Sequence, residues 1–209
     1  MAAAPASCAG LSEASGDEEA SPVAPPPHAA GGCITFGSFN NLAKFNADGK
    51  GQWLALTHGQ GPLTAANGFA DQAEVLIKSR QASDILGATK MDRPEWIDVD
   101  KQGWVYATLT NNSNRGGDKQ QAVDAANPRA NNTQGNIIRW KEDVDFHATT
   151  FAWNHFILAG DASLARAEAK GNIKGDMFSC PDGLWVDGLG LMWIQCDMST
   201  SAMGKGDLK

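Results

Sequence analysis

Apolar residues come in short bursts along most of this chain, and the bursts alternate with glycine, aspartate and asparagine. From about Asn40 onward the spacing has period two, the mark of a strand with one face turned inward. "NLAKFNADGKGQWLAL" (Asn41 to Leu56) predicts a hairpin with strands over 42–45 and 52–56 and a turn at Asp48-Gly49. "NIIRWKEDVDFHATTFAW" (Asn136 to Trp153) predicts another, with strands over 137–140 and 149–153. Two further hairpins share one phrase. "RPEWIDVDKQGWVYATLTN" (Arg93 to Asn111) and "CPDGLWVDGLGLMWIQCD" (Cys180 to Asp197) align without a gap, Pro94 on Pro181, Glu95 on Asp182, Asp100 on Asp187 and Gly103 on Gly190.

The two kinds of hairpin alternate, one starting at 41 and 136, the other at 94 and 181. Two hairpins per repeat give four antiparallel strands, the build of a β-propeller blade. The expected fold is therefore all-β: half a blade, a whole blade and half a blade, about two blades' worth of a larger ring. One such unit cannot bury both faces alone, so the missing blades are expected to be needed for a stable ring.

Strand direction then sorts the loops. The short turns at Asp48-Gly49, 101–103 and 188–190 fall on one side, and the long insertions 57–92, 111–135 and 158–179 on the other, together with Glu95 and Asp182. Long loops gathered on one face of a rigid scaffold are where function usually sits. The first insertion predicts one helix, opened by Asp71 and Glu74 in a capping-box pattern and closed by Gly87, with Phe69, Ala73, Leu76, Ile77 and Leu86 on its packed face. The second, "NNSNRGGDKQQAVDAANPRANNTQG", has almost no large apolar group. Its Asn, Asp and Arg suit a solvated loop as well as contacts to a hard cation or an oxyanion.

Residues 1–36 lack this pattern. They are rich in Ala, Pro, Ser and Gly, carry Asp17, Glu18 and Glu19, and contain no Lys or Arg. So little apolar surface cannot offset the entropy of ordering, and a disordered tail is expected ahead of a domain over 41–209. The tail also lacks the basic and apolar regions of a secretory signal.

Composition narrows the function classes. The formal net charge of -7 argues against a nucleic-acid groove, and no apolar run is long enough to span a bilayer. Cys8, Cys33, Cys180 and Cys196 form no C-x-x-C pair; a Cys180–Cys196 disulfide and buried free thiols both fit the spacing. No G-x-S-x-G elbow is present, "HGQGPLT" lacks the lysine of a phosphate-binding loop, and the histidines show no metal-ligand spacing.

What remains is the residue after each proline. Glu95 and Asp182 would open the innermost strands, where converging carboxylates either hold a cation or cap a turn. Arg93, two residues before Glu95 in an extended segment, would project to the same side and offers the planar fork that suits a phosphate oxygen; a surface pairing with Asp92 or Asp98 is the alternative.

"KFNADGKGQWLAL", "HGQGPLTAANGFADQAEVLIKSRQASDILGATKMDRPEW", "TLTNNS", "DAANPRANN", "GNIIRW" and "SCPDGLWVD" together resemble the PhoX-type alkaline phosphatases, from about residue 41 to the end. The resemblance implies a six-bladed propeller, a cluster of calcium and iron at the channel mouth, and hydrolysis of small phosphate monoesters. It implies Glu95 and Asp182 as metal ligands, Arg93 as the catalytic residue that grips phosphate, and Arg129 as a second substrate-binding arginine. It further implies a periplasmic or secreted location through the twin-arginine route, although that leader pattern is absent here. The family's other ligands, an iron-binding cysteine among them, belong to an upstream half without counterpart in this chain, so an inactive fragment is expected. A calcium-dependent lactonase or phosphotriesterase of propeller type and a non-catalytic propeller fragment are the alternatives.

Overall fold

In the computed structural model, which describes residues 41–198, the chain is mostly β-structure with few helices. The expected disordered tail lies outside the described residues. Eight strands follow in order: β1 (Asn41–Phe45), β2 (Lys50–Ala55), β3 (Pro94–Val99), β4 (Val105–Leu109), β5 (Asn136–Glu142), β6 (Thr150–Leu158), β7 (Pro181–Val186) and β8 (Met192–Cys196). All four predicted hairpins form. β3 to β6 lie in consecutive antiparallel order, and β7–β8 make a separate two-stranded sheet.

The hairpin β1–β2 differs from expectation. It was expected as half of a neighbouring blade, but β2 pairs with β6 at Lys50↔Ala152, Gly51↔Phe151 and Gln52↔Thr150, giving one curled six-stranded sheet. β6 has β5 on one edge only, and the groups on its other edge need partners; the β1–β2 hairpin supplies them. The approach is close enough that a Cβ at Gly51 would enter the Phe151 ring, so only glycine fits.

Strand alternation distributes the core over both faces of the sheet. From β4 and β5, Val105, Ala107, Leu109, Ile138 and Trp140 point to one face and pack with Phe45, Phe151 and Trp153, the Phe45 ring meeting Trp140, Phe151 and Trp153 edge to face. Tyr106 and Ile137 point to the other, against Leu184 and the half-buried Trp96, Trp104 and Ile194. Each large apolar side chain enclosed this way contributes about 1.5–3 kcal/mol.

The first insertion holds two short helices instead of one: α1 (Gln72–Ile77) and α2 (Ser79–Leu86). Lys78, at φ −93° and ψ 32°, breaks the run. The predicted caps stand: Asp71 accepts from the Glu74 N–H, and Gly87 ends α2 in the left-handed conformation. The break rotates the apolar stripe, however. Val75 and Ala82 are the buried residues, packed with Leu42, Leu56, Leu63 and Phe69, whereas Ala73 is exposed and Ile77 is 77% exposed.

Candidate functional site

The repeated phrase is repeated in three dimensions. β3 pairs with β4 at Pro94↔Leu109, then Ile97↔Ala107, so β3 holds one extra residue around Glu95 and Trp96. β7 pairs with β8 at Pro181↔Cys196, then Leu184↔Ile194, with the same extra residue around Asp182 and Gly183. Such bulges re-aim side chains at the ends of sheets. The residue before each proline is left-handed, Arg93 at φ 54° and Cys180 at φ 52°. That conformation costs an L-residue roughly 1–2 kcal/mol, and the following proline restricts it further. Arg93 is therefore not extended as expected. The hairpin mouths close alike: Thr110 donates its N–H to the Arg93 carbonyl, and Asp197 its N–H to the Cys180 carbonyl.

At the opposite ends, Asp100 and Asp187 each accept two main-chain N–H bonds, and each takes a ring donor, the Tyr106 hydroxyl and the Trp193 indole N–H. These capped turns hold the far side. On the near side, the Thr108 and Thr110 hydroxyls donate to the carbonyls of Asp182 and Pro181, and toward the far turns Asp98 accepts from the Val186 N–H at 2.6 Å. The two bulges are thereby fixed against each other.

Arg93 is the hub of the near side. Its Nε donates to Glu95 Oε1 at 2.8 Å, and its Nη2 to Asp197 Oδ2 at 2.6 Å. All three side chains are partly open to solvent. Burial works against the guanidinium charge, but the carboxylates of Asp197 and Glu95 outweigh it and hold its pKa above the ordinary value. Burial raises the Asp182 carboxyl above its ordinary value, and the negative charges of Glu95 and Asp197 push it the same way while Arg93 pulls it back. Arg93 thus contacts Glu95 directly, and Asp182 lies within electrostatic reach of both. Asp197 joins them unannounced, although the repeat alignment carries it opposite Thr110, at a strand end on this same face.

Arg129 does not join them. It is buried, donating Nη1 to the carbonyls of Ala159 and Lys170 and Nη2 to that of Gly135, while its Nε has no partner among the described residues. Burial brings its guanidinium down to about 10, partly offset by Asp92.

The polar second insertion is split: residues 116–120 and 122–124 are exposed, while its other polar groups close around Asp92. Asp92, fully buried, accepts from Arg115 Nε at 2.7 Å and from the amides of Asn112 and Asn132, both at 2.9 Å. Arg115 also reaches the carbonyls of Lys90 and Ala122, and Asn127 caps the Asp92 N–H. The loop's polar groups satisfy one another, which is how a buried ion pair survives the loss of water. This lock abuts Arg93 and fixes the chain entering β3. The cysteines in the described region are both free, Cys180 buried and Cys196 exposed.

A hard cation prefers oxygen donors, and Glu95, Asp182 and Asp197 offer carboxylates whose mutual repulsion a cation would relieve. The donor set fits in kind but is short in number: among the described residues, no group of three or more His, Cys, Asp or Glu side chains is gathered closely enough to hold an ion.

The family model described as Alkaline phosphatase PhoX matches residues 36–207. Among solved structures, the chain is similar to Pseudomonas fluorescens PhoX in complex with vanadate, a transition state analogue, at 46% identity and a TM-score of 0.73. The match covers 80% of this chain and 31% of that one, so the chain spans about a third of its neighbour's length. No curated protein matches. With the family model covering most of its length, this chain belongs to the PhoX alkaline phosphatase family.

Proposed function

We propose that the chain carries one sector of a phosphatase centre of PhoX type, on part of a β-propeller, acting on small phosphate monoesters in the periplasm or outside the cell. The observation that carries this reading is the Arg93 guanidinium, pinned by two carboxylates at the mouth of paired bulges, in a chain 46% identical to a vanadate-binding PhoX. Glu95 and Asp182 are the residues that would hold a metal, calcium or iron, and such an ion would supply positive charge to phosphoryl oxygens. Arg93 binds and orients the phosphoryl group and offsets the charge that builds on its oxygens in the transition state. Arg129, held among carbonyls, is assigned a supporting role behind the site instead of a substrate contact.

A second reading has its own observation in favour. The chain spans 31% of its structural neighbour, and its described carboxylates are too few for a metal cluster, which suits a non-catalytic fragment that still binds the oxyanion. Orthovanadate binding and p-nitrophenyl phosphate turnover, with calcium and iron supplied, separate the readings. Binding that is lost in Arg93→Ala supports the assignment of Arg93, and an unaltered chain that binds no vanadate sinks it. Binding without turnover selects the non-catalytic fragment. Turnover of a lactone in preference to the phosphate ester selects a different propeller hydrolase.

A further inference from the structure

Asp197 is the one carboxylate at the site that the sequence did not single out, and its position is unusual. It belongs to the second hairpin, yet its side chain reaches the arginine of the first. Its counterpart in the first hairpin is Thr110, whose hydroxyl donates to the Pro181 carbonyl. Each hairpin mouth thus sends one side chain across to the other. Glu95 takes the Nε edge of Arg93 and Asp197 takes Nη2, so the guanidinium is gripped at two of its three nitrogens. Among the described residues Nη1 has no protein partner. The grip does more than neutralise. Arginine has a long, rotamer-rich side chain, and two anchored nitrogens fix both its plane and its roll.

Resting on the phosphatase-type reading above, we propose that Asp197 is a positioning residue for oxyanion binding: it holds Arg93 so that the Nη1 side is presented to a phosphoryl oxygen. The backbone supports this role. Asp197 is tied through its own N–H to the carbonyl of Cys180, at 2.9 Å, so its carboxylate starts from a fixed point. Arg93 is set by its left-handed backbone and the following proline. Both ends of the bridge are held before any ligand arrives.

The role makes a prediction opposite in sign to simple electrostatics. A carboxylate near an anion site repels the anion, so its removal should tighten binding if charge were all that mattered. A carboxylate that orients the binding arginine should weaken binding when removed, by roughly tenfold, the lower end of what loss of an orienting partner costs. The experiment is orthovanadate titration, with calcium and iron present, of the unaltered chain, Asp197→Asn, Asp197→Glu, Arg93→Ala and the double variant Arg93→Ala/Asp197→Asn. Expected are weaker binding in Asp197→Asn, partial recovery in Asp197→Glu, and no further loss when Asp197→Asn is added to Arg93→Ala, because the two residues act as one unit. Unfolding curves on the same samples identify any variant that is merely misfolded, and the Glu variant then carries the test. Unchanged or tighter binding in Asp197→Asn overturns the proposal while leaving Arg93 in place. Vanadate binding that ignores Arg93→Ala overturns the phosphatase-type reading, and this inference with it.

Discussion

The hairpins β3–β4 and β7–β8 share a backbone and divide the labour. Both carry a left-handed residue before a proline, a bulge just after it, and an aspartate-capped turn at the far end. They differ in what surrounds them. The first is enclosed on both faces: Tyr106 is 6% exposed, and the Asp92–Arg115 lock backs its entry. The second is covered on one face only, so Trp193, at Tyr106's position, is 57% exposed, and Ser179 stands at the position of Asp92. The first hairpin brings the arginine and the second brings two of the three carboxylates. Identical scaffolds can thus carry unequal shares of both stability and chemistry.

The largest effect should come from the lock. Arg115→Ala leaves Asp92 charged and buried without its ion-pair partner, at a cost of about 3–5 kcal/mol, whereas Ser179→Ala removes only a weak bond to the Cys180 sulfur, at about 1 kcal/mol or less. Denaturant unfolding of the two variants checks the ratio; equal losses would mean the hairpin entries are equally braced. Next come the paired rings. Tyr106→Ala opens a cavity between the sheets and should cost about 3 kcal/mol, while Trp193→Ala, which breaks an equivalent bond on an open face, should cost about 1 kcal/mol. Thermal unfolding distinguishes them.

The smallest effect is a pH slope. The folded chain holds the Asp182 proton more tightly than the unfolded chain does, so stability falls as pH rises from the ordinary carboxylate value through the raised one, and levels off above it. Asp182→Asn should flatten this limb, as read by unfolding midpoints across acidic pH. A limb that persists unchanged in the Asn variant would assign the slope to another group.

Much of the scaffold was legible because hairpins announce themselves locally. Asp48-Gly49, Gly103 and Gly190 sit where the chain reverses, and period-two alternation fixes which residues face inward. Arg93 and Glu95 are neighbours in sequence and so also in space, but a left-handed Arg93 and a bulge bring them together in place of the extended segment expected. What failed to show was non-local. The pairing of β2 with β6 joins residues about a hundred positions apart and depends on a free edge that no local pattern reveals. Asp92 and Arg115 lie 23 positions apart, and composition alone cannot distinguish polar groups that bind a ligand from polar groups that bind one another. The helix face was placed only in part: Phe69 and Leu86 pack as expected, but with the break at Lys78 Val75 is buried and Ile77 turns outward. Asp197 stands in the last column of the repeat, opposite Thr110, where the change from hydroxyl to carboxylate marks it.

The way each hairpin is closed has a consequence for how this surface can change. Main-chain bonds seal both mouths, at Thr110 to Arg93 and at Asp197 to Cys180, and capped aspartates seal both turns. None of these bonds depends on which side chain stands at the positions before and after the proline. The hairpin therefore behaves as a socket with a few rewritable contacts: charge, reach and ligand type can be exchanged there while register and curvature stay put.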